Sequence, residues 1–250
     1  RYIMKPNYII IPLGGSGIRF KEENYNEPKA LISAENKCII YWLLDNIKIP
    51  GNYTVLIPYN EKEYKSFDLE NKLKTRYPNI NFKFFALKNK TKGAVETISI
   101  CLQEYSLDCV INPIPEHNKF LEENDGPVIC IDSDNFYLQN IIEEWNGENK
   151  IFVFDDIQQN PIYSYVKIDS KDNLLEIIEK EKISDLACCG AYGFSSISSL
   201  YKYCSKIINN QIYQKDEFYT SGLVQLMVKD NIRFKVSKIQ NKNYFSLGIP

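Results

Sequence analysis

Short apolar runs alternate with longer stretches of helical spacing along the first 154 residues of the chain. The runs 8–12, 54–57, 82–85, 128–132 and 151–154 are four or five residues long and rich in Ile, Val and Phe. They read as strands buried on both faces. Between them, 39–47, 61–76, 93–104 and 139–144 read as helices. This order predicts βαβ units and a mostly parallel sheet. The second half changes character. Residues 162–168 and 174–179 flank the polar stretch Ser170-Lys171-Asp172-Asn173, which reads as a hairpin. Residues 196–209 and 219–229 look helical, and 232–236 looks like another strand.

No internal repeat, low-complexity tract or linker interrupts 1–250, so one domain is expected, with an inserted substrate-facing subregion in its second half. The fold class is α/β: three layers, α/β/α, around a Rossmann-like sheet that is mixed but mostly parallel. Right-handed crossovers then put the loops after several strands on one rim. In such open sheets a ligand sits outside the carboxyl ends of the strands. Residues 14–19 follow one predicted strand and 132–135 follow another, so two candidate motifs share that rim.

Composition narrows the partners. Hydrophobic residues at 44% and charged residues at 25% fit a globular protein. The net charge of −2 is dispersed, which argues against a nucleic-acid partner. No apolar run approaches the roughly 20 residues that span a bilayer, so no membrane partner is expected. The first 13 residues lack a signal-peptide layout. Seven cysteines occur without a C-x-x-C pair, so neither a disulfide framework nor a zinc site is indicated. Reduced core thiols and a cytoplasmic location are the expectation. His117, the one histidine, lies in a polar stretch and reads as a surface-loop residue.

The chemistry concentrates in Leu13-Gly14-Gly15-Ser16-Gly17-Ile18-Arg19-Phe20, followed by Pro28-Lys29-Ala30-Leu31-Ile32. Gly14, Gly15 and Gly17 can bring bare backbone N–H groups up to an anion. Arg19 and Lys29 add two fixed positive charges. That set suits a triphosphate whose bridging bond is being broken. It is not a P-loop, because no Lys-Ser/Thr follows the glycines. It is not a dinucleotide fingerprint, because the third glycine is missing. Further along, Asp132-Ser133-Asp134-Asn135 places carboxylates just past a strand end, where they can hold Mg²⁺.

The two glycine and Pro-Lys motifs together resemble the signature of the sugar-phosphate nucleotidyltransferases, and the resemblance runs nearly to the last residue. It implies a nucleotide-diphospho-sugar transferase type of fold, Mg²⁺ as cofactor, an NTP and a phosphorylated small-molecule acceptor as partners, and leaves a homo-oligomer open. By resemblance Leu13, Gly14, Gly15, Ser16 and Gly17 cradle the nucleotide. Arg19 stabilises the β and γ phosphates and Lys29 reaches the α-phosphate. Asp134 is the metal ligand, with Asp132 as its alternative. Gly93, in Thr91-Lys92-Gly93-Ala94, stands near the base. Glu179 and Lys180 contact the acceptor, Lys180 through its phosphate, with Gly190 and Glu217 beside it. Many relatives end in a tryptophan-aspartate-glycine pattern whose aspartate is a second ligand; here Ser246 holds that place, in a Ser246-Leu247-Gly248-Ile249-Pro250 run that resembles other branches of the family.

The implied reaction transfers NMP from an NTP to a sugar 1-phosphate and releases pyrophosphate, as in nucleotide-sugar and polysaccharide biosynthesis. Phosphocholine, a polyol phosphate or a phosphorylated amino acid as acceptor of a cytidylyltransferase stay open. A metal-dependent glycosyltransferase would use Asp132-x-Asp134 but has no need of Arg19 and Lys29. A non-catalytic nucleotide-binding subunit draws its support from Ser246. The chain can also be one part of a longer polypeptide.

Overall fold

A computed structural model describes residues 5–108 and 117–249. The first half lays down strand β1 (Asn7–Ile10), helix α1 (Ile18–Glu22), the short strands β2 (Ser33–Ala34) and β3 (Lys37–Cys38), and α2 (Ile39–Asn46). Then come β4 (Tyr53–Asn60), α3 (Glu61–Tyr64), α4 (Leu69–Arg76), β5 (Asn81–Leu87), α5 (Ala94–Asp108), α6 (His117–Glu123) and β6 (Val128–Ile131). The second half adds β7 (Asn135–Tyr137), α7 (Ile141–Trp145), β8 (Lys150–Asp155), β9 (Ser164–Ile168), β10 (Leu174–Glu179) and β11 (Leu186–Phe194). Helices α8 (Ile197–Asn209) and α9 (Thr220–Lys229) and strands β12 (Lys235–Lys238) and β13 (Tyr244–Ser246) complete it.

The main sheet runs β10-β9-β11-β6-β1-β4-β5, with β8 beside β11 and β12 beside β8. Strands β6, β1, β4 and β5 are parallel, whereas β11 pairs antiparallel with β6, β8 and β9. The sheet is therefore mixed, with a parallel half built by the early βαβ units and an antiparallel half built by the later hairpins. Alternation along β1 shows why the strands are apolar throughout. Tyr8 and Ile10 enter one core with α5, α6, α8 and α9, while Ile9 and Ile11 enter the other with α2, α4 and α7. Two apolar layers on one sheet give the α/β/α sandwich.

Three local expectations change. The stretch 61–76 is two helices, because Asp68 adopts a left-handed φ of 50°. Tyr64 and Leu69 are five residues apart and cannot share one face of a straight helix; the break lets Tyr64, Leu69 and Leu73 all pack into one core. The last predicted strand is shifted, forming at Lys235–Lys238 against β8. His117 opens α6 instead of lying in a loop, and its Nδ1 meets the Ser106 Oγ at 2.5 Å. Six described cysteines are free thiols, five of them buried; Cys109 lies outside the described residues. No helix among the described residues is long and apolar enough to cross a membrane.

Gly193, on β11 between β6 and β8, is where the sheet meets the fully buried Trp145. A Cβ there would collide with the indole ring, whose Nε1 donates to the Glu148 carbonyl at 2.7 Å. Gly193→Ala should therefore cost about 1–3 kcal/mol by overpacking. Gly51→Ala, with open space around it, should leave the unfolding midpoint unchanged. Denaturant unfolding of the two variants measures the difference.

Candidate active site

In the parallel half the strand order reverses between β1 and β6: the chain goes from β1 outward to β4 and β5, then returns to β6 on the other side. At such a reversal the loops after the two strands diverge and leave a crevice. A cleft of about 890 Å³ opens there. The loop after β1 is its floor. The chain stays beside β4 beyond Ile10, with Leu13 N donating to the Pro58 carbonyl at 2.7 Å and Leu13 O accepting from Asn60 N at 3.1 Å. This fixes the start of the glycine segment rigidly.

The three glycines have different physical causes. A Cβ on Gly14 would lie 2.5 Å from Thr97 Oγ1, so the buried Thr97 requires its absence. Gly17 caps α1 in the left-handed region, φ 61°, where a side chain is strained. Gly15 has neither reason: nothing lies within 4 Å of a Cβ built on it. Gly15 is exposed and lines the cleft. Arg19, one residue into α1, is exposed on the same cleft and has no ion-pair partner among the described residues. Lys29 follows the extended Pro28, which opens a short 3-10 turn, and its Nζ pairs with Asp134 Oδ2.

Past β6, Asp132 N donates to the Gly190 carbonyl at 2.8 Å, so β11 holds this turn in place. Asn135 Nδ2 and Tyr137 OH donate to the Cys189 carbonyl, at 3.3 and 2.6 Å. Asp132 and Asp134 both line the cleft. Burial, then the neighbouring Asp134 charge, push the Asp132 carboxyl up to about 7; Lys29 offsets part of this and Glu179 adds to it. Two carboxylates thus share one ammonium. Among the described residues no group of three or more His, Cys, Asp or Glu side chains gathers for a metal. The protein offers oxygen donors from one or two carboxylates, which fits Mg²⁺ completed by phosphate and water.

Leu13, Gly14, Gly15, Ser16, Gly17, Arg19, Lys29, Gly93, Asp132, Asp134 and Glu217 all line this cleft. The sequence reading missed Tyr64, Lys90 and Asp216. Lys90 and Lys92 stand in a run of alternating lysines that could have been read as a cationic lip. Gly93 has a packing reason of its own, because a Cβ would meet the Phe218 backbone at 2.7 Å. The expected acceptor residues have the following contacts in the structure. Glu179 is buried, and its Oε2 accepts hydrogen bonds from the Ser164 and Ser221 hydroxyls. Lys180, with φ 51°, donates from Nζ to Tyr219 OH at 2.9 Å. Neither lines the cleft, and the space beside Gly190 is filled by Asp132 and Asn135. Ser246 is exposed and pairs with Asn135 across the β7–β13 ribbon. It is absent from the cleft lining, where Gly248 from the same segment is present.

No family model and no curated protein matches this chain. Solved structures do. A nucleoside-diphosphate-sugar pyrophosphorylase from Vibrio cholerae RC9 superposes with a TM-score of 0.78 at 16% identity, over 97% of this chain and 96% of that one. A putative glucose-1-phosphate thymidylyltransferase from Bacillus anthracis gives 0.67 at 16% identity, over 98% and 90%. The inositol-1-phosphate CTP transferase from T. maritima gives 0.66 at 12% identity, again over 98% and 90%. The chain has the fold of these nucleotidyltransferases.

Asp132 makes the ligand-free protein sensitive to pH. Its folded carboxyl titrates near 7 against 3.8 unexposed to these influences, so the folded state favours the protonated form. The resulting destabilisation is absent below pH ~4 and complete above pH ~7. Asp132→Asn should therefore raise Tm at pH 8 and leave it unchanged at pH 4, measured by thermal unfolding without ligands. In the same assay Gly14→Ala should lower Tm and Gly15→Ala should not, since only the first collides with protein atoms.

Proposed function

We propose that the cleft binds a nucleoside triphosphate and transfers its NMP moiety to a phosphorylated acceptor, foremost a sugar 1-phosphate, releasing pyrophosphate. The carrying observation is the open backbone at Gly15, bordered within one cleft by Arg19, Lys29 and the Asp132–Asp134 pair. The fold shared with nucleotidyltransferases from three bacteria supports the same reading.

In this mechanism an acceptor phosphate oxygen attacks the α-phosphorus, and the bond to the α–β bridging oxygen breaks. The electron pair leaves with pyrophosphate. The attacking oxygen is already anionic, so no side chain need act as nucleophile or base. The amides around Gly15 receive the phosphate tail, and Arg19 neutralises the charge that builds on the departing group. Lys29, held at Asp134 in the free protein, turns its ammonium to the α-phosphate. Asp134 and Asp132 would hold Mg²⁺, which supplies charge neutralisation between the phosphates when bound. The nucleotide-sugar product suits polysaccharide synthesis, and the six free thiols support a cytoplasmic setting.

One alternative acceptor has specific support: the inositol-1-phosphate CTP transferase shares this fold, so a polyol phosphate belongs in the assay. A glycosyltransferase is disfavoured by two cations in the cleft that its chemistry does not need.

A pyrophosphate-release matrix of four NTPs against sugar 1-phosphates, polyol phosphates and phosphocholine tests the reading. One NTP–acceptor pair should turn over, EDTA should abolish it, and Lys29→Ala or Arg19→Ala should each cut kcat/KM about 10²–10³-fold. Silence across the whole matrix with Mg²⁺ present would sink the proposal and leave nucleotide binding alone.

A further inference from the structure

The segment 244–248 reaches the cleft at Gly248, and its contact with Asp134 has two parts. Leu247 N donates to the Asp134 main-chain carbonyl at 2.7 Å, one residue beyond the ribbon that pairs Ser246 with Asn135. Gly248 then lies against the Asp134 side chain. A Cβ on Gly248 would stand 2.5 Å from Asp134 Oδ2 and 3.3 Å from its Cγ. That same Oδ2 is the oxygen paired with Lys29. Tyr244 OH steadies the turn from the other side by donating to Asn135 Oδ1 at 3.2 Å.

We propose that Gly248 is a positioning residue: its missing side chain is what allows the Asp134 carboxylate to face the cleft, where it can meet a divalent metal. The segment contributes room, and the ligand comes from the β6 turn. This rests on the nucleotidyltransferase reading of the cleft and names a residue that acts on the metal carboxylate without touching substrate chemistry.

The physics separates this role from a structural one. The obstructing atoms belong to the far end of a short side chain, not to backbone. Gly248 does not sit at positive φ, so alanine brings no backbone strain there. A methyl group can be accommodated by rotating Asp134 away, which leaves the fold intact and moves the carboxylate. Groups that only orient a metal ligand typically control affinity about 10–100-fold.

The test compares wild type, Gly248→Ala and Gly51→Ala, as full chains. Mn²⁺ binding is read by water-proton relaxation, first with Mn²⁺ alone and then with an equal mixture of ATP, CTP, GTP and UTP. Gly248→Ala should bind Mn²⁺ about 10–100-fold more weakly in the presence of nucleotide, with Tm within a degree or so of wild type. Gly51→Ala should match wild type in both readouts. A crystal structure of Gly248→Ala should show Asp134 turned away from Lys29. Unchanged Mn²⁺ affinity in Gly248→Ala, or Asp134 unmoved in its structure, overturns the positioning role while leaving the enzyme reading intact. Wild type that binds no Mn²⁺ even with nucleotide overturns both.

Discussion

The parallel pairing of β1 with β6 is the constraint on which the site depends. Tyr8, Ile9 and Ile10 lie in register with Val128, Ile129 and Cys130, yet the two strands are about 120 residues apart in the chain. Their side chains are buried on both faces, so a slip of one residue would exchange the two cores. Because the register is fixed, the loops leaving both strands emerge at the same height. The glycine backbone and the two carboxylates therefore face each other without any contact designed between the loops themselves. Reversal of strand order at this point keeps the helices from covering the gap.

Charge in the cleft is organised around that gap. Lys29 and Asp134 neutralise each other in the free protein, and Asp132 is left in a buried, anionic neighbourhood that favours its proton. Arg19 has no partner among the described residues and stands exposed. The free site is thus poorly matched to itself and well matched to a ligand bearing both phosphate charge and a divalent cation. On the proposed reading, a triphosphate would offer Lys29 a new partner, and the cation would offer one to the carboxylates. On that reading the two would bind with coupling, because each would relieve the electrostatic cost of the other.

Much of this was legible in residue order. The apolar runs marked the central strands, since strands covered on both faces show unbroken hydrophobicity. The glycine turn and Asp132-Ser133-Asp134 each followed such a run, and the same-rim expectation came from topology alone. The split of 61–76 was not legible, because the five-residue step from Tyr64 to Leu69 signals a break only once both are known to enter one core, which Asp68 in the left-handed region makes possible. The five-residue helix α1 and the three-residue β7 and β13 are too short to carry a periodic signal. His117 was misread because α6 is nearly all polar, with Leu121 its one buried residue.

The sequence by itself determined the α/β class, the parallel core and the chemistry of the cleft floor, since these depend on hydrophobic period and on residue types close together in the chain. Tertiary structure decided which glycines the packing of the protein itself requires and which it does not. Gly14, Gly93 and Gly190 answer to Thr97, Phe218 and Asp132, each distant in sequence, whereas Gly15 meets nothing among the described residues. It also set Glu179 and Lys180 beside Ser164, Ser221 and Tyr219, and gave Gly248 a place against Asp134. The reason is the same in each case. A missing side chain or an isolated charge has no meaning until long-range packing says what occupies the space beside it.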